Sequence, residues 1–341
     1  MKHNVTIRDV AKQAGVSVAT ISRVLNQSAY VSPEIERAVL EAISELGYYH
    51  NSAARSLKTN TSMIIGFVTA DISNPYMITV AREIEDLICE RKYSLLVCST
   101  HGMPTRELDY LKLLMSRDVD GLVLNGTGHN LEFITEISKQ IPIVLVNRTV
   151  SHPGFEGDLV DSDNEEGLYK LTKHLVTIGH RRVFAVKGSN VSSTWLRFKG
   201  FSRAMEEVGV KIDESYPYQY GTDFSPETGR NAIAKIMSLK PRPTAVVAMN
   251  NTLGLGLLQG LKAHNLRAPD DISVAHYNSI DYHEMMTVRP MMYDVNPSEI
   301  GRAAGHALLD RIDAEKMDNR EIIINGRIIA GNAVSLPFDC L

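Results

Sequence analysis

Residues 5–26, VTIRDVAKQAGVSVATISRVLN, set short polar and basic side chains where they can read a DNA duplex. Val18, Ala19, Ser22 and Arg23 share one face of a helical pattern whose other face carries Ile21, Val24 and Leu25. Arg23 suits a guanine edge or a phosphate, and Val18 and Ala19 are short and apolar enough for thymine methyl groups. Thr6, Ser17, Thr20, Ser22 and Asn26 offer hydroxyls and an amide that would hold phosphates and fix register. Positioning these groups takes a preceding helix and a tight turn. Thr6 with Asp9 marks the start of that first helix, Ile7, Val10, Ala11 and Ala14 give its buried stripe, and Gly15 ends it. Ser17 caps the second helix, and the small residues Ala11, Ala14 and Gly15 allow a close, steep crossing. The pattern is a helix-turn-helix, whose second helix enters the major groove.

A third helix follows. Ser32-Pro33-Glu34 combines a cap, a proline at the first helical position and an acid at the positive helix end. Ile35, Val39, Ala42, Ile43 and Leu46 repeat at helical spacing, and Gly47 closes the helix. Residues 1–60 hold seven basic and five acidic side chains, a net of +2, which leaves −6 on the rest of a chain whose total is −4. A mildly acidic body discourages non-specific attachment to phosphate.

From Met63 onward, apolar strand runs alternate with helices: MIIGFVT, YSLLVCS, GLVL and IPIVLVN, then RVFAVK, TAVVAM and ISVAHY. Helices are expected from Ala81 to Arg91, over ELDYLKLLMSR, from Glu165, from Trp195 to Val208, from Pro226 to Met237, and from Thr252. Two successive series of this kind make an α/β chain with two doubly wound parallel-sheet subdomains. Ligands of such sheets bind beyond the carboxyl ends of the strands, so a cleft between the two is the expected site.

Other classes of function find little support. No run of eighteen apolar residues is present, so no membrane partner is expected. The N-terminus lacks an apolar signal core, which points to the cytoplasm. Cys89, Cys98 and Cys340 are scattered, against a disulfide framework or metal cluster. P-loop, GxSxG, HExxH and paired-cysteine motifs are missing, so neither an enzyme nor a bound cofactor or metal is expected. The competing class is a small-molecule binding protein for uptake or sensing. It would need export, yet a helix-turn-helix stands where a signal peptide would be.

VSVATISRVLN closely resembles the recognition-helix signature of the LacI/GalR (lactose-repressor) family of bacterial transcription regulators. DISNPY at 71–76, DSDNEEGLYKLTKHLVTIGHRRVFAVKG at 161–188, RFKGF at 197–201 and PDDISVAHYN at 269–278 extend the resemblance over essentially the whole chain. The resemblance implies a headpiece at 1–50, a hinge helix at 51–60, and a periplasmic-binding-protein-like effector and dimerisation domain at 61–341. It also implies three crossings between subdomains, placed near 161, 290 and 322. Subdomain 1 then comprises about 61–161 and 291–321, and subdomain 2 about 162–290 and 322–341. Leu57 matches the leucine that wedges into the minor groove and kinks the operator. The implied effector residues are Tyr76, Met77, Asn147, Arg197, Phe224, Asn250, Asn251 and Asn278.

Three amides depart from the family pattern. The family usually carries Asn-Asp where this chain has Asn250-Asn251, a terminal Asp where it has Asn278, and often Asp where it has Asn147. Removing carboxylates while Arg197 remains points to an acidic ligand such as a sugar acid or sugar phosphate, with Lys187, Arg148 and His276 expected nearby. The resemblance makes the protein a repressor that binds a pseudo-palindromic double-stranded operator. A homodimer is expected because the chain ends without the leucine heptads of the family's tetramers.

Overall fold

The computed structural model describes residues 5–26, 29–48, 61–280, 282–314 and 316–337, with only the backbone of Asn26. The chain divides into two units, Met1–Ser62 and Met63–Leu341. The first holds helices α1 (Ile7–Gln13), α2 (Val18–Asn26) and α3 (Pro33–Leu46). The Asp9 carboxylate accepts both the backbone N–H and the hydroxyl of Thr6, at 2.8 and 2.7 Å, and so fixes the start of α1. Gly15, at φ +66°, makes the left-handed turn into α2. The Ser17 Oγ then accepts the Thr20 N–H at 3.2 Å. Val10, Ala11, Ile21, Val39 and Ala42 form the core of this unit. Ile35, expected on the inward stripe of α3, is 37% exposed because it lies in the first turn, outside that core.

The second unit carries two six-stranded sheets. Its first half runs β1 (Ile64–Thr69), α4 (Pro75–Glu90), β2 (Ser94–Ser99), α5 (Pro104–Met115), β3 (Gly121–Leu124), α6 (Leu131–Ser138), β4 (Ile143–Val146) and β5 (Asp158–Ser162). The second half runs α7 (Asn164–Thr177), β6 (Val183–Val186), α8 (Ser192–Glu206), β7 (Gln219–Tyr220), α9 (Pro226–Ser238), β8 (Ala245–Ala248), α10 (Asn251–Ala263), β9 (Ser273–Tyr277) and β10 (Met291–Asp294). The chain closes with α11 (Pro297–Asp313), β11 (Glu321–Ile324) and β12 (Arg327–Ile329). Sheet orders are β11-β5-β4-β3-β1-β2 and β12-β10-β9-β8-β6-β7. All pairings are parallel except β10 with β12, at the edge of the second sheet. The interior strands are apolar on both faces, as sheets covered by helices on two sides require. No helix among the described residues is long and apolar enough to cross a membrane.

Two crossings differ from the sequence expectation. Met291–Asp294 pairs with β9 in the second sheet, so the second crossing falls after Asp294 rather than near residue 290. Met291, Met292 and Tyr293 are buried there, and Pro290 precedes the strand instead of breaking the subdomain. Glu321–Ile324 pairs with β5 in the first sheet, which moves the third crossing from 322 to residues 325–326. One carboxylate ties the three crossings together. Asp163, in the first, accepts the Tyr293 hydroxyl at 2.6 Å beside the second and the Gly326 N–H at 3.3 Å in the third.

Backbone approach is closest where α8 crosses α7. A Cβ added at Gly200 would lie 1.9 Å from the Glu165 carbonyl oxygen and 2.9 Å from the Tyr169 nitrogen. Gly200→Ala must therefore push two helices apart and is expected to cost about 3 kcal/mol. Urea denaturation reads this directly, and an unchanged midpoint would show that α7 and α8 separate freely.

Candidate functional site

The exposed face of α2 follows from which side of the helix the core covers. Ile21 is fully buried, and Val24 and Leu25 are half-buried against the same core. Ser17, Val18, Ala19 and Arg23 are exposed, with Thr20 and Ser22 half-buried beside them. Val18, on the same face, is 40% exposed. The Thr6 hydroxyl is engaged by Asp9, so that side chain serves first to build α1. The Asn26 side chain and Leu57, with the whole 51–60 hinge, lie outside the described residues.

In the second unit the strand ends converge on a cavity of about 480 Å³ between the two sheets. Tyr76, Met77 and Asn147 line it from the first subdomain, and Arg197, Phe224, Asn250 and Asn278 from the second. Asn147 follows β4 and Asn278 follows β9, both left-handed at φ +60° and +62°. Asparagine tolerates that conformation, so each turns a short amide toward the cavity. The Tyr76 hydroxyl donates to Asn147 Oδ1 at 3.1 Å and fixes how that amide points. Burial raises the Tyr76 phenol well above its usual range, so it stays a neutral donor.

Arg197 is held from three sides. Its Nε donates to Asn164 Oδ1 at 2.7 Å, its Nη1 donates to the Met249 carbonyl at 2.6 Å, and its guanidinium lies 3.9 Å from the centre of the Tyr277 ring. Behind it, Asn164 Nδ2 donates to Asp161 Oδ1 at 2.9 Å. Burial pushes the Asp161 carboxyl up to about 6, against the lowering pull of the Ser162 N–H and Arg197.

Asn250 does double duty. Its Oδ1 caps α10 by accepting the Leu253 N–H at 2.8 Å, while the residue still lines the cavity. Asn251 does not line it. Its Nδ2 donates to Asn74 Oδ1 at 3.0 Å and its Oδ1 accepts from Asn74 Nδ2 at 3.4 Å, bridging the subdomains. Two further contacts cross the cleft: the Thr149 N–H donates to Ser192 Oγ at 3.1 Å, and Arg148 sits over the Phe224 ring at 5.6 Å.

Of the cations expected nearby, only Arg148 reaches the cavity. Lys187 is occupied by Gln219 Oε1 at 2.8 Å and by the Phe198 ring at 4.6 Å. His276 is wholly buried against Gly254, and burial brings its pKa down to about 4, which leaves it neutral. Two carboxylates also stand at the rim, each with one oxygen held in its own turn. Asp71 accepts the Ser73 N–H and hydroxyl at 2.9 and 2.7 Å, and Asp223 accepts the Ser225 N–H and the Thr228 hydroxyl, both at 2.8 Å. Two guanidiniums, several amides and hydroxyls, and the Phe224 and Tyr76 rings therefore face the cavity. Such a lining binds a small polar molecule with an apolar face.

Asn125 is a site residue that the sequence reading did not assign, and Arg148, expected only near the ligand, lines the cavity itself. Asn125 directly follows β3 and donates from Nδ2 to the Val146 carbonyl at 2.9 Å, so it braces β4 while lining the cavity. The signal was available: polar residues immediately beyond apolar strand runs occupy the ligand-facing edge of such sheets.

Residues 6–51 match the model of bacterial regulatory proteins of the lacI family. Residues 62–332 match that of periplasmic binding proteins and the sugar binding domain of the LacI family. The HTH-type transcriptional repressor PurR of Haemophilus influenzae (strain PittEE) is 33% identical over 313 residues, covering 90% of this chain and 91% of that protein. A LacI family transcriptional regulator from Enterococcus faecium, solved with bound ribose, aligns at 25% identity with a TM-score of 0.72, over 80% of this chain and 99% of that one. The lac repressor dimer bound to operator and the anti-inducer ONPF shares the fold at 21% identity and a TM-score of 0.80, over 96% and 98% of the two chains. With a recognition helix at one end and a polar cleft between two wound sheets in the other unit, this chain belongs to the LacI family of bacterial transcriptional regulators.

Proposed function

We propose that the protein is a homodimeric repressor that binds a pseudo-palindromic operator and is controlled by an acidic, carbohydrate-derived effector in the cleft. The observation that carries the effector class is the lining: Arg148 and Arg197 face the cavity, and the two carboxylates at its rim, Asp71 and Asp223, each hold one oxygen in their own turn. Neutral sugars favour carboxylates that accept paired hydroxyl protons. Guanidiniums favour carboxylate or phosphate. Amides at 147, 250 and 278 and the Phe224 ring supply the contacts a sugar ring needs. The bound ribose of the Enterococcus faecium relative supports a carbohydrate-type occupant.

Thermal-shift measurements against neutral sugars, sugar acids, sugar phosphates, nucleosides and purines test the effector class. A ligand at a hundred times its Kd adds about 2.7 kcal/mol, enough to raise Tm by several degrees. A shift with a sugar acid or sugar phosphate is expected. A shift confined to neutral sugars or purines would reject the acidic effector and leave the regulator intact.

A single headpiece makes few contacts, so specific binding at cellular salt needs two on a symmetric site. Arg23, exposed on the recognition helix, is the one long cation on that face. Arg23→Ala should weaken binding to an operator recovered by in vitro selection by about 1–3 kcal/mol and relax the preference at one position of each half-site. Fluorescence anisotropy across a set of single-base operator variants measures both. A uniform loss across all variants would assign Arg23 to phosphate.

A further inference from the structure

The two cavity guanidiniums are not equivalent. Arg197 has spent its Nε on Asn164 and its Nη1 on the Met249 carbonyl, so two of its three nitrogens are committed inside the protein. Among the described residues Arg148 makes one hydrogen bond, from Nη1 to the Gly126 carbonyl. Its Nε and Nη2 remain as a paired edge, the geometry that grips a carboxylate or phosphate with two parallel bonds. Among the described residues, no carboxylate lies within ion-pair distance of either arginine. Glu107 and Asp161 favour the charged form of Arg148 through space without touching it, and a ligand anion would supply the direct ion pair.

Arg148 is also built into place. The buried Glu107 accepts the Thr127 N–H at 2.5 Å, the Thr127 hydroxyl at 2.9 Å and Asn130 Nδ2 at 2.9 Å. These bonds pin the 126–127 loop whose carbonyl receives Arg148. On its other side the guanidinium rests over Phe224, which belongs to the opposite subdomain. Burial and the nearby Arg197 bring the Arg148 pKa down to about 10, so it stays charged at neutral pH.

We infer that Arg148 is the anion-binding residue of the cleft: it takes the carboxylate or phosphate of the effector on its free edge, with Arg197 beside it, and so separates an acid from its neutral parent sugar. This rests on the acidic-effector reading above and names the residue that carries it. Arg148 also touches Phe224, so the bound anion is fixed at a point where the two subdomains already meet.

Calorimetric titration of the full-length protein and of R148M and R148K tests it, with D-gluconate, D-glucuronate and D-glucose 6-phosphate as acidic probes and D-glucose as the neutral one. The wild type should prefer at least one acidic probe over glucose by tenfold or more. R148M should lose that preference, its affinity for the acidic probe falling at least tenfold more than its affinity for glucose. R148K should keep a part of it, having the charge but not the paired donors, and so guards against misfolding as the cause. If the acid preference survives in R148M, the anion sits elsewhere, and the inference falls while the acidic effector stands. If acid and neutral probes weaken equally, Arg148 only positions Phe224, and the inference falls again. If no acidic probe binds better than glucose, the acidic effector itself is overturned, and the inference with it.

Discussion

Arg197→Met should weaken effector binding at least a hundredfold, about 2.7 kcal/mol, while the fold survives. The wild-type guanidinium links Asn164, the Met249 carbonyl and the Tyr277 ring, and it lines the cavity. Methionine keeps the aliphatic bulk against Tyr277 but supplies no donor, so Asn164 and the Met249 carbonyl each lose a partner. The fold is spared a worse penalty because Asp161 can take up a proton. Its carboxyl already sits near 6, raised by burial and held down in part by Arg197. A folded-state pKa above the unfolded value means that the native protein keeps a proton that the unfolded chain releases. Stability from this group is therefore full below about 4 and falls as pH rises toward 6. In the variant the carboxyl loses a neighbouring cation, its pKa climbs further, and the decline extends above pH 6. Urea midpoints from pH 5 to 8 should show the variant losing more than the wild type between 6 and 8. Parallel profiles would mean that Arg197 and Asp161 are not coupled, and retained affinity would remove Arg197 from the site.

What the sequence revealed and what it hid follow from how local each signal is. The helix-turn-helix was readable because Thr6, Asp9, Gly15 and Ser17 act within a few residues of themselves. Asn147, Asn250 and Asn278 were named through the family resemblance, and each stands at the end of an apolar strand run, where the cavity lies. Asn251 looked equivalent to Asn250, yet its partner is Asn74, 177 residues away, and no local pattern distinguishes the two. The start of α4 was set at Ala81, later than its true start at Pro75, because proline serves a turn as readily as a first helical position. In the fold Asn74 Oδ1 accepts the Tyr76 N–H at 3.1 Å and Pro75 opens the helix, an arrangement as favourable for a start as for a turn. The same ambiguity hid β10, whose four residues follow Pro290. Arg148 could be placed only near the ligand, because its position depends on Gly126 and Phe224, which come from two different subdomains.

Asp158→Ala should be the most damaging single change in the effector domain, costing about 3–5 kcal/mol, because it strands two buried or half-buried arginines. Asp158 opens β5 and is fully buried. Its Oδ1 accepts Arg311 Nη2 at 2.6 Å and the Arg320 N–H at 2.9 Å, and its Oδ2 accepts Arg320 Nη2 at 2.7 Å and Nε at 2.9 Å. Arg311 comes from α11 and Arg320 immediately precedes β11, so one carboxylate fastens the returning segment to the edge of the first sheet. Alanine leaves the Arg311 side chain, 9% exposed, without its ion pair. Asp158→Asn keeps an acceptor of the same shape and should lose less. Burial alone would raise the Asp158 carboxyl, but the bonds from Arg311 and Arg320 outweigh it and hold the pKa below the usual value. The stability it contributes is thus present above the unfolded pKa near 4 and is lost as pH falls through the lower folded value. In Asp158→Asn that part of the acid limb should flatten. Urea unfolding of the three proteins at pH 7 and across the acid range measures both effects. A loss under 1 kcal/mol in Asp158→Ala would show that Asp310, which accepts Arg320 Nη1 at 2.8 Å, and the Asp318 carbonyl, which accepts Arg311 Nη2 at 2.9 Å, hold the segment without it.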